Sequence, residues 1–281
     1  MLAYSSNLLI GFGGLLTLSN AAFYGIGAYA YTILLIKYGC GFWTGLIGAS
    51  IITGIIAFII SIPALRFRGE RFVLVTLGFQ MITFSLLYNW DWLTGGPEGI
   101  SGIPRPIVFG FEISSHGSYM MLVFLAATIV GVVLYYSYRS PLGYALRALR
   151  DDEQAAQAIG ISPKKMFSVS FVLSGVLSAI AGALYAGYIT YIDPSSFTLS
   201  ESIFQASIIL LGGGGYGLGP FAGTLFLVLL PEGLSRLGMP DSMAANVREM
   251  IYGTLLVLFM FFRPQGIVPE RVLQWPTRIT K

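Results

Sequence analysis

The sequence predicts an all-α membrane protein: a polytopic helical bundle of about nine spans or half-spans in one domain, residues 1–281. Of its 281 residues, 55% are hydrophobic and only 10% are charged, whereas a soluble domain has about 25% charged residues. Such a chain has too few polar side chains to cover its surface in water, so lipid must be part of its solvent. Its 35 glycines agree, because glycine is more frequent in transmembrane helices than in soluble ones.

Apolar segments of two kinds divide the chain. A spanning helix needs about 20 mostly apolar residues, and the stretches that reach this length are 43–65, 72–89, 119–138, 166–190 and 246–262. The shorter stretches, or those interrupted by polar residues or glycine, are 1–16, 20–37, 202–216 and 220–234. The second group predicts broken or re-entrant helices.

Basic residues orient these spans. Most of the 16 Lys and Arg residues fall in loop 66–71, segment 139–165 and tail 263–281. Because Lys and Arg accumulate in cytoplasmic loops, all three are predicted to be cytoplasmic, the C-terminus included. The uncharged stretch 1–36 lacks the positive charge of a signal peptide, so we expect a retained membrane helix. The odd number of crossings then predicts either a further helix upstream or a re-entrant first segment.

Several function classes are excluded by composition. A net charge of +3 gives no reason to expect a nucleic-acid partner. Cys40 and His116 are each alone, so no disulfide within the chain, no metal centre and no cofactor are expected. The glycine run 212–217 lacks the Gly-Lys-Ser/Thr of a phosphate loop, so this chain is not expected to hydrolyse ATP. We expect no catalytic residue, and therefore no enzyme.

The polar segment 139–165 has the local pattern of two short helices. Ser140 precedes a proline suited to the first helical position, and Asp151 is predicted to cap a second helix with Gln154 as its capping-box partner. Gly160 is a suitable C-terminal stop. A helix pair fused to a span could transmit a push from a soluble partner into the membrane. The alternative is an ordinary solvated loop.

The interruptions at 17–20 and 212–217 point to a substrate path. Non-helical backbone at membrane depth is tolerated only beside protein or a water-filled cavity, and interrupted segments in two halves of a transporter often line its path. The candidate path residues are Ser19, Asn20, Gln80, Gln205, Gly213 and Gly214. The alternatives are that Ser19 caps the helix, that the glycines allow close packing, and that the glutamines bond neighbouring helices.

A family resemblance covers nearly the whole chain. The stretches that carry it are 18–29 (LSNAAFYGIGAY), 93–100 (LTGGPEGI), 140–149 (SPLGYALRAL), 153–160 (EQAAQAIG), 211–220 (LGGGGYGLGP) and 262–266 (FRPQG). In this order they resemble the LivM-type permease of branched-chain amino-acid ABC importers. Two positions depart from the family pattern: Asn20 stands where glycine is expected, and Ala21 where histidine often follows.

The resemblance implies partners and a coupling site. In the family, the loop matching 153–160 docks into a cleft on a cytoplasmic ATPase. The residues implied in this coupling are Arg147, Arg150, Glu153, Ala155, Ala156 and Gly160. The implied partners are a second homologous permease in a heterodimer, two ATP-binding subunits and a periplasmic solute-binding protein, in the bacterial inner membrane.

The span centres contain no Asp, Glu, Lys or Arg, although ion-coupled transporters usually place ionisable residues inside the membrane. This favours a neutral path driven by a separate subunit, and together with the resemblance it gives the predicted function: the permease subunit of an ATP-driven importer for branched-chain or similar small amino acids. One alternative is a urea or short-amide permease of the same family. Another is a secondary transporter or channel that acts alone.

Overall fold

The computed structural model describes residues 1–108, 111–113, 115–215, 217–235, 253–254, 257 and 266–267. Its helices are, in chain order, α1 (Leu2–Asn7), α2 (Asn20–Tyr38), α3 (Phe42–Ala64), α4 (Glu70–Asn89), α5 (Asp91–Thr94), α6 (His116–Arg139), α7 (Pro141–Asp151), α8 (Glu153–Ala158), α9 (Pro163–Ile189), α10 (Leu199–Gly212) and α11 (Gly219–Ser235). A π-helical turn, Leu8–Phe12, continues α1, and short 3₁₀ turns cover Gly96–Glu98 and Pro194–Phe197.

Four helices in the described part of the chain, α3, α4, α6 and α9, are long and apolar enough to cross a membrane. Each lies within a few residues of a predicted long span, and the four predicted short ones are overlapped by α1 with its π-helical turn, α2, α10 and α11. The all-α membrane fold is thus confirmed. The fifth predicted long span, 246–262, and the tail, 263–281, fall almost entirely outside the described residues.

The centre of the bundle is the packing of α2 against α9 and α3. A Cβ at Gly27 of α2 would lie 2.6 Å from the Cβ of Ala179 in α9, and one at Gly182 would lie 2.8 Å from the backbone nitrogen of Ala28. Because neither glycine carries a side chain, the two backbones approach closely, as small residues allow in membrane bundles. Aromatic rings fill the space beside them, including Phe23 and Phe171 at 5.4 Å between centroids.

The outer helices turn apolar side chains away from the protein. On α3 these include Ile47, Ile51, Ile55 and Phe58, each more than half exposed. On α6 only 17% of the spanning window is buried. Large apolar side chains exposed along whole helices mark a surface that meets lipid or another membrane subunit.

Small antiparallel pairings cover the end of the bundle where α4 finishes and α6 begins. Strand β1 (Ile100–Ser101) pairs with β4 (Tyr191–Ile192), and β2 (Ile107–Val108) pairs with β3 (Phe111–Glu112). At the opposite end of α6, α7 and α8 follow directly. The polar helix pair and the strand-bearing loops therefore lie at opposite ends of α6.

Candidate functional site

The first broken segment ends where α2 begins. Ser19 occupies the N-cap position, as predicted, but its side chain caps no helical N–H. Its hydroxyl instead lies 2.8 Å from Thr17 Oγ1. The alternative in which the Ser19 side chain caps α2 is therefore excluded. The first N–H groups of a helix need acceptors from elsewhere, and here neighbouring helices supply them.

A buried clamp from α4 and α10 holds this helix end. The N–H of Ala22 donates to Gln80 Oε1 at 2.6 Å, and the N–H of Ala21 donates to Ser202 Oγ at 3.0 Å. Gln80 Nε2 donates to the carbonyl of Phe197 at 2.9 Å, and Ser202 Oγ donates to Gln80 Oε1 at 3.3 Å. The side-chain oxygen and nitrogen of Gln80 are thus both engaged within the protein.

Two other buried amides beside this clamp keep unused hydrogen-bonding capacity. Asn20 is fully buried, and neither its Oδ1 nor its Nδ2 has a partner among the described residues. Gln205 donates from Nε2 to Glu201 Oε1 at 3.3 Å, but its Oε1 has no partner there. Gln205 lies three residues after Ser202, on the same face of α10. The unpaired groups therefore lie near the start of α2.

Unpaired buried amides are uncommon, because each unmade hydrogen bond costs about 1–3 kcal/mol. The amide of Asn20 can both donate and accept, and Gln205 Oε1 can accept, in each case without carrying charge. Such groups suit a polar, uncharged or zwitterionic ligand. The assignment of the predicted path residues to contact with a solute stays a prediction.

The second broken segment is the glycine run between α10 and α11. Gly213 has φ +99° and Gly215 has φ +87°, which L side chains rarely adopt. A Cβ at Gly219 would collide with the carbonyl of Gly213. The run is therefore a tight turn with close backbone packing, which is one of the two interpretations that the sequence left open.

The two broken segments touch each other through backbone. A Cβ at Gly214 would lie 2.7 Å from Cα of Gly11, in the π-helical turn after α1. The side chain of Asn7 accepts a hydrogen bond from the N–H of Gly215 at 3.4 Å. Nothing in the sequence signals this contact, because it depends on where the π-helical turn lies.

The polar segment folds into the predicted pair of short helices, α7 and α8. The cap of α8 is one residue later than predicted: Asp152 Oδ1 accepts from the N–H groups of Gln154 and Ala155, both at 2.9 Å. Asp151 is the last residue of α7. Asp152 has extended backbone, φ −152° and ψ 105°, which lets an N-cap side chain fold back onto the helix. Gln154 is therefore not the capping-box residue.

The start of α7 also differs in detail from its prediction. Ser140 is the N-cap residue, followed by Pro141 in the first turn, but its side chain caps no helical N–H. Its Oγ instead donates to the carbonyl of Ser137 at 2.7 Å. The position of the helix was predicted correctly, and the hydrogen bond was not.

Helix α8 is anchored on one side and open on the other. Ala156 is 3% exposed and belongs to the main apolar core, whereas Ala155 is exposed and Ile159 is 76% exposed. Gly160 follows the helix with φ +89°, so the predicted stop is confirmed. The outer face of α8, formed by Gln154, Ala155, Gln157, Ala158 and Ile159, is available to a partner.

The charged residues of this segment reach into the protein. Arg150 Nη1 donates to the carbonyl of Gly11 at 2.7 Å, and the Arg147 guanidinium lies 4.7 Å from the centroid of Phe12. Phe12 also stacks on Tyr138, with 4.0 Å between ring centroids and 7° between planes. We call these contacts of α7 with the π-helical turn the coupling junction.

A second tie connects α8 to the loop between α3 and α4. Glu153 Oε1 forms an ion pair with Arg68 Nη2 at 3.0 Å, with both side chains about one third exposed. The Arg68 guanidinium also lies 4.9 Å from the ring centroid of Phe167 in α9.

Within the described ranges, no group of three or more His, Cys, Asp or Glu residues could hold a metal ion.

Known proteins resemble this chain over almost its full length. The family model described as branched-chain amino acid transport system / permease component matches residues 1–260. The high-affinity branched-chain amino acid transport system permease protein LivM of Salmonella typhimurium is 37% identical over 96% of this chain and 67% of its own length. LivM of Escherichia coli is 36% identical over the same shares of the two chains.

A second type of permease is also similar, at a greater distance. LivH of Salmonella typhimurium, a permease protein of a high-affinity branched-chain amino acid transport system, is 25% identical over 71% of this chain and 59% of its own length. No solved structure matches the chain significantly.

Proposed function

This chain belongs to the family of branched-chain amino acid transport system permease components, and from that premise we propose that it is the permease subunit of an ATP-driven importer. The proposed cargo is a branched-chain amino acid, as in the names of the LivM relatives. The observation that carries the proposal is the helix pair α7–α8, which is tied to the first broken segment and leaves the outer face of α8 open.

The proposed assembly follows the likeness to both permease types. We propose a heterodimer with a homologous permease, which the 25% identity to LivH supports. Two ATP-binding subunits bind on the α8 side and hydrolyse ATP, and a periplasmic protein delivers the solute on the other side. Residues 1–281 form one permease domain in a bacterial inner membrane, with α7–α8 and the C-terminus cytoplasmic. The excess of Lys and Arg in the segments on that side supports this orientation.

Coupling proceeds in two steps. The ATPase binds the outer face of α8, where Ala155 and Ile159 are exposed, and movement of the helix pair reaches the first broken segment through the coupling junction. Because Gly11 also packs on Gly214, the second broken segment follows. Arg147, Arg150 and Glu153 act inside the permease as connectors, while Ala156 fixes α8 to the core.

The solute passes beside the start of α2. The unpaired amides of Asn20 and Gln205 offer neutral donors and acceptors to a zwitterion, and Ser19, Gly213 and Gly214 belong to the backbone breaks around them. Gln80 contributes by holding the helix end rather than by a free polar group.

The docking step is tested with Ile159→Asp. Ile159 is exposed, so a carboxylate there leaves the fold intact but disrupts an apolar contact with a partner. We expect the ATPase subunits to be lost from the purified complex and leucine uptake into proteoliposomes to fall to background. Lys165→Ala, exposed at the start of α9, is the control and should change neither. Normal uptake by Ile159→Asp would contradict the proposed docking.

The cargo is tested by competition. Excess unlabelled isoleucine should suppress uptake of labelled leucine, whereas urea and acetamide should not. Suppression by urea would favour the short-amide alternative. Leucine uptake by vesicles without the ATPase subunits would favour a transporter that acts alone.

A further inference from the structure

A groove of about 510 Å³ runs along the outside of the bundle between α6, the first broken segment and the start of α11. We call it the arginine groove. Its lining includes Phe124, Gly131, Tyr135, Arg139, Arg147 and Phe221.

The chemistry of the arginine groove changes along its length. Near the middle of α6 its wall is apolar, with Phe124 and Ala127 from α6 and Phe221 from α11. At the end of α6 it becomes basic and aromatic. The Arg139 guanidinium lies there 4.5 Å from the ring centroid of Tyr135. When an aromatic ring covers the face of a guanidinium, the N–H donors in the guanidinium plane still point outward. Their planar arrangement matches the oxygens of a phosphate.

The groove is about one membrane leaflet high. Its lining positions on α6 run along one helix face from Phe124 to Arg139, and at 1.5 Å per residue this distance is about 22 Å. Half of a bilayer including its headgroups is about 20–22 Å thick. A transmembrane helix of a partner needs twice this height, so the dimensions favour a lipid.

We propose that the arginine groove binds one anionic phospholipid, with its phosphate between Arg139 and Arg147 and an acyl chain along Gly131 toward Phe124. Basic pockets between transmembrane helices recognise anionic headgroups in this way. The orientation proposed above places the lipid in the cytoplasmic leaflet.

A second groove provides a control for ordinary lipid contact. It has a volume of about 810 Å³ between α2, α3 and α4, and its described lining residues include no charged side chain. Gly78 of this apolar groove and Gly131 of the arginine groove are matched, because a Cβ at either would meet no atom within 4 Å. Leucine at each position projects into its own groove from a Cβ that meets no other atom.

The test uses the full chain purified with its partner subunits and measures bound lipid by native mass spectrometry. The complex is offered equal amounts of phosphatidylglycerol and phosphatidylcholine. We expect phosphatidylglycerol to be retained preferentially. Arg139→Gln should lower that retention about fivefold, the effect of one surface arginine, and Gly131→Leu should abolish it. Arg66→Gln, an exposed arginine elsewhere on the same side, and Gly78→Leu should have no effect.

Three results would overturn the proposal. The first is equal retention of the two lipids, and the second is an equal loss in Gly78→Leu and Gly131→Leu, which would indicate unspecific contact. The third is efficient cross-linking of Gly131→Cys, in a Cys40→Ser background, to the partner permease, which would mean that protein fills the groove.

Discussion

The first broken segment, up to the start of α2, and the second, the glycine run between α10 and α11, are held in different ways. Side chains from other elements hold the first: Gln80 and Ser202 bond the start of α2, and Arg150 bonds Gly11. Backbone packing around Gly213, Gly214 and Gly219 holds most of the second, and one side chain, that of Asn7, bonds it at Gly215.

This difference suggests a division of labour. A break held by side chains can be moved by the elements that carry them, and one of these elements is the coupling segment. A break held by glycine packing has no room for an independent adjustment. We therefore infer that movement of α7 displaces the first segment. The second segment is then displaced with it through the contact of Gly11 with Gly214.

The largest effect is expected in the glycine run. Gly219→Ala forces a methyl group into the carbonyl of Gly213, so the turn must open and the folded protein should be lost. A Cβ at Gly217 meets no atom within 4 Å, which makes Gly217→Ala the matched control. Fluorescence-detected size-exclusion chromatography of the two variants measures the yield of folded protein. Equal yields would show that the run is not tightly packed.

The next effect concerns the clamp at the start of α2. Gln80→Leu leaves the N–H of Ala22 and the carbonyl of Phe197 without their partners. At about 1–3 kcal/mol for each buried group, the free energy of unfolding should fall by about 2–6 kcal/mol. Gln154→Leu, on the exposed face of α8, is the control. Thermal unfolding in detergent measures both variants, and a Gln80→Leu protein as stable as the wild type would contradict the clamp.

Asn20→Leu should change stability in the opposite direction to Gln80→Leu, and by less. Because Asn20 is buried without a partner among the described residues, leucine removes an unsatisfied amide and should leave the unfolding temperature unchanged or slightly raised. If the amide binds solute, the KM for leucine uptake should rise about tenfold. A lower unfolding temperature with unchanged KM would assign Asn20 a structural role.

Much of this fold could be predicted because the length of an apolar stretch and the residues that start or stop a helix are local properties of the sequence. The spans, the helix pair α7–α8 and the stop at Gly160 all follow from residues adjacent in sequence. The cap of α8 was wrong by one residue, because Asp151 and Asp152 are chemically alike and only the backbone angle at Asp152 decides between them.

The contacts that matter for the site are not local. Ser202 is one serine in an apolar helix, and only the fold brings it to Ala21, 181 residues away. Gln80 was recognised as a buried amide, but its partners could not be. The inward direction of Arg150 depends on the position of the π-helical turn, which the pattern of 1–16 did not predict.

The most direct test of the division of labour is Arg150→Gln in the reconstituted complex. Glutamine keeps a donor but loses the charge and the length that reach the carbonyl of Gly11. The account predicts that the ATPase subunits still bind and hydrolyse ATP while leucine uptake falls at least about tenfold, and that Lys164→Gln changes neither. Loss of ATPase binding together with uptake would make Arg150 a docking residue, and unchanged uptake would contradict the coupling junction.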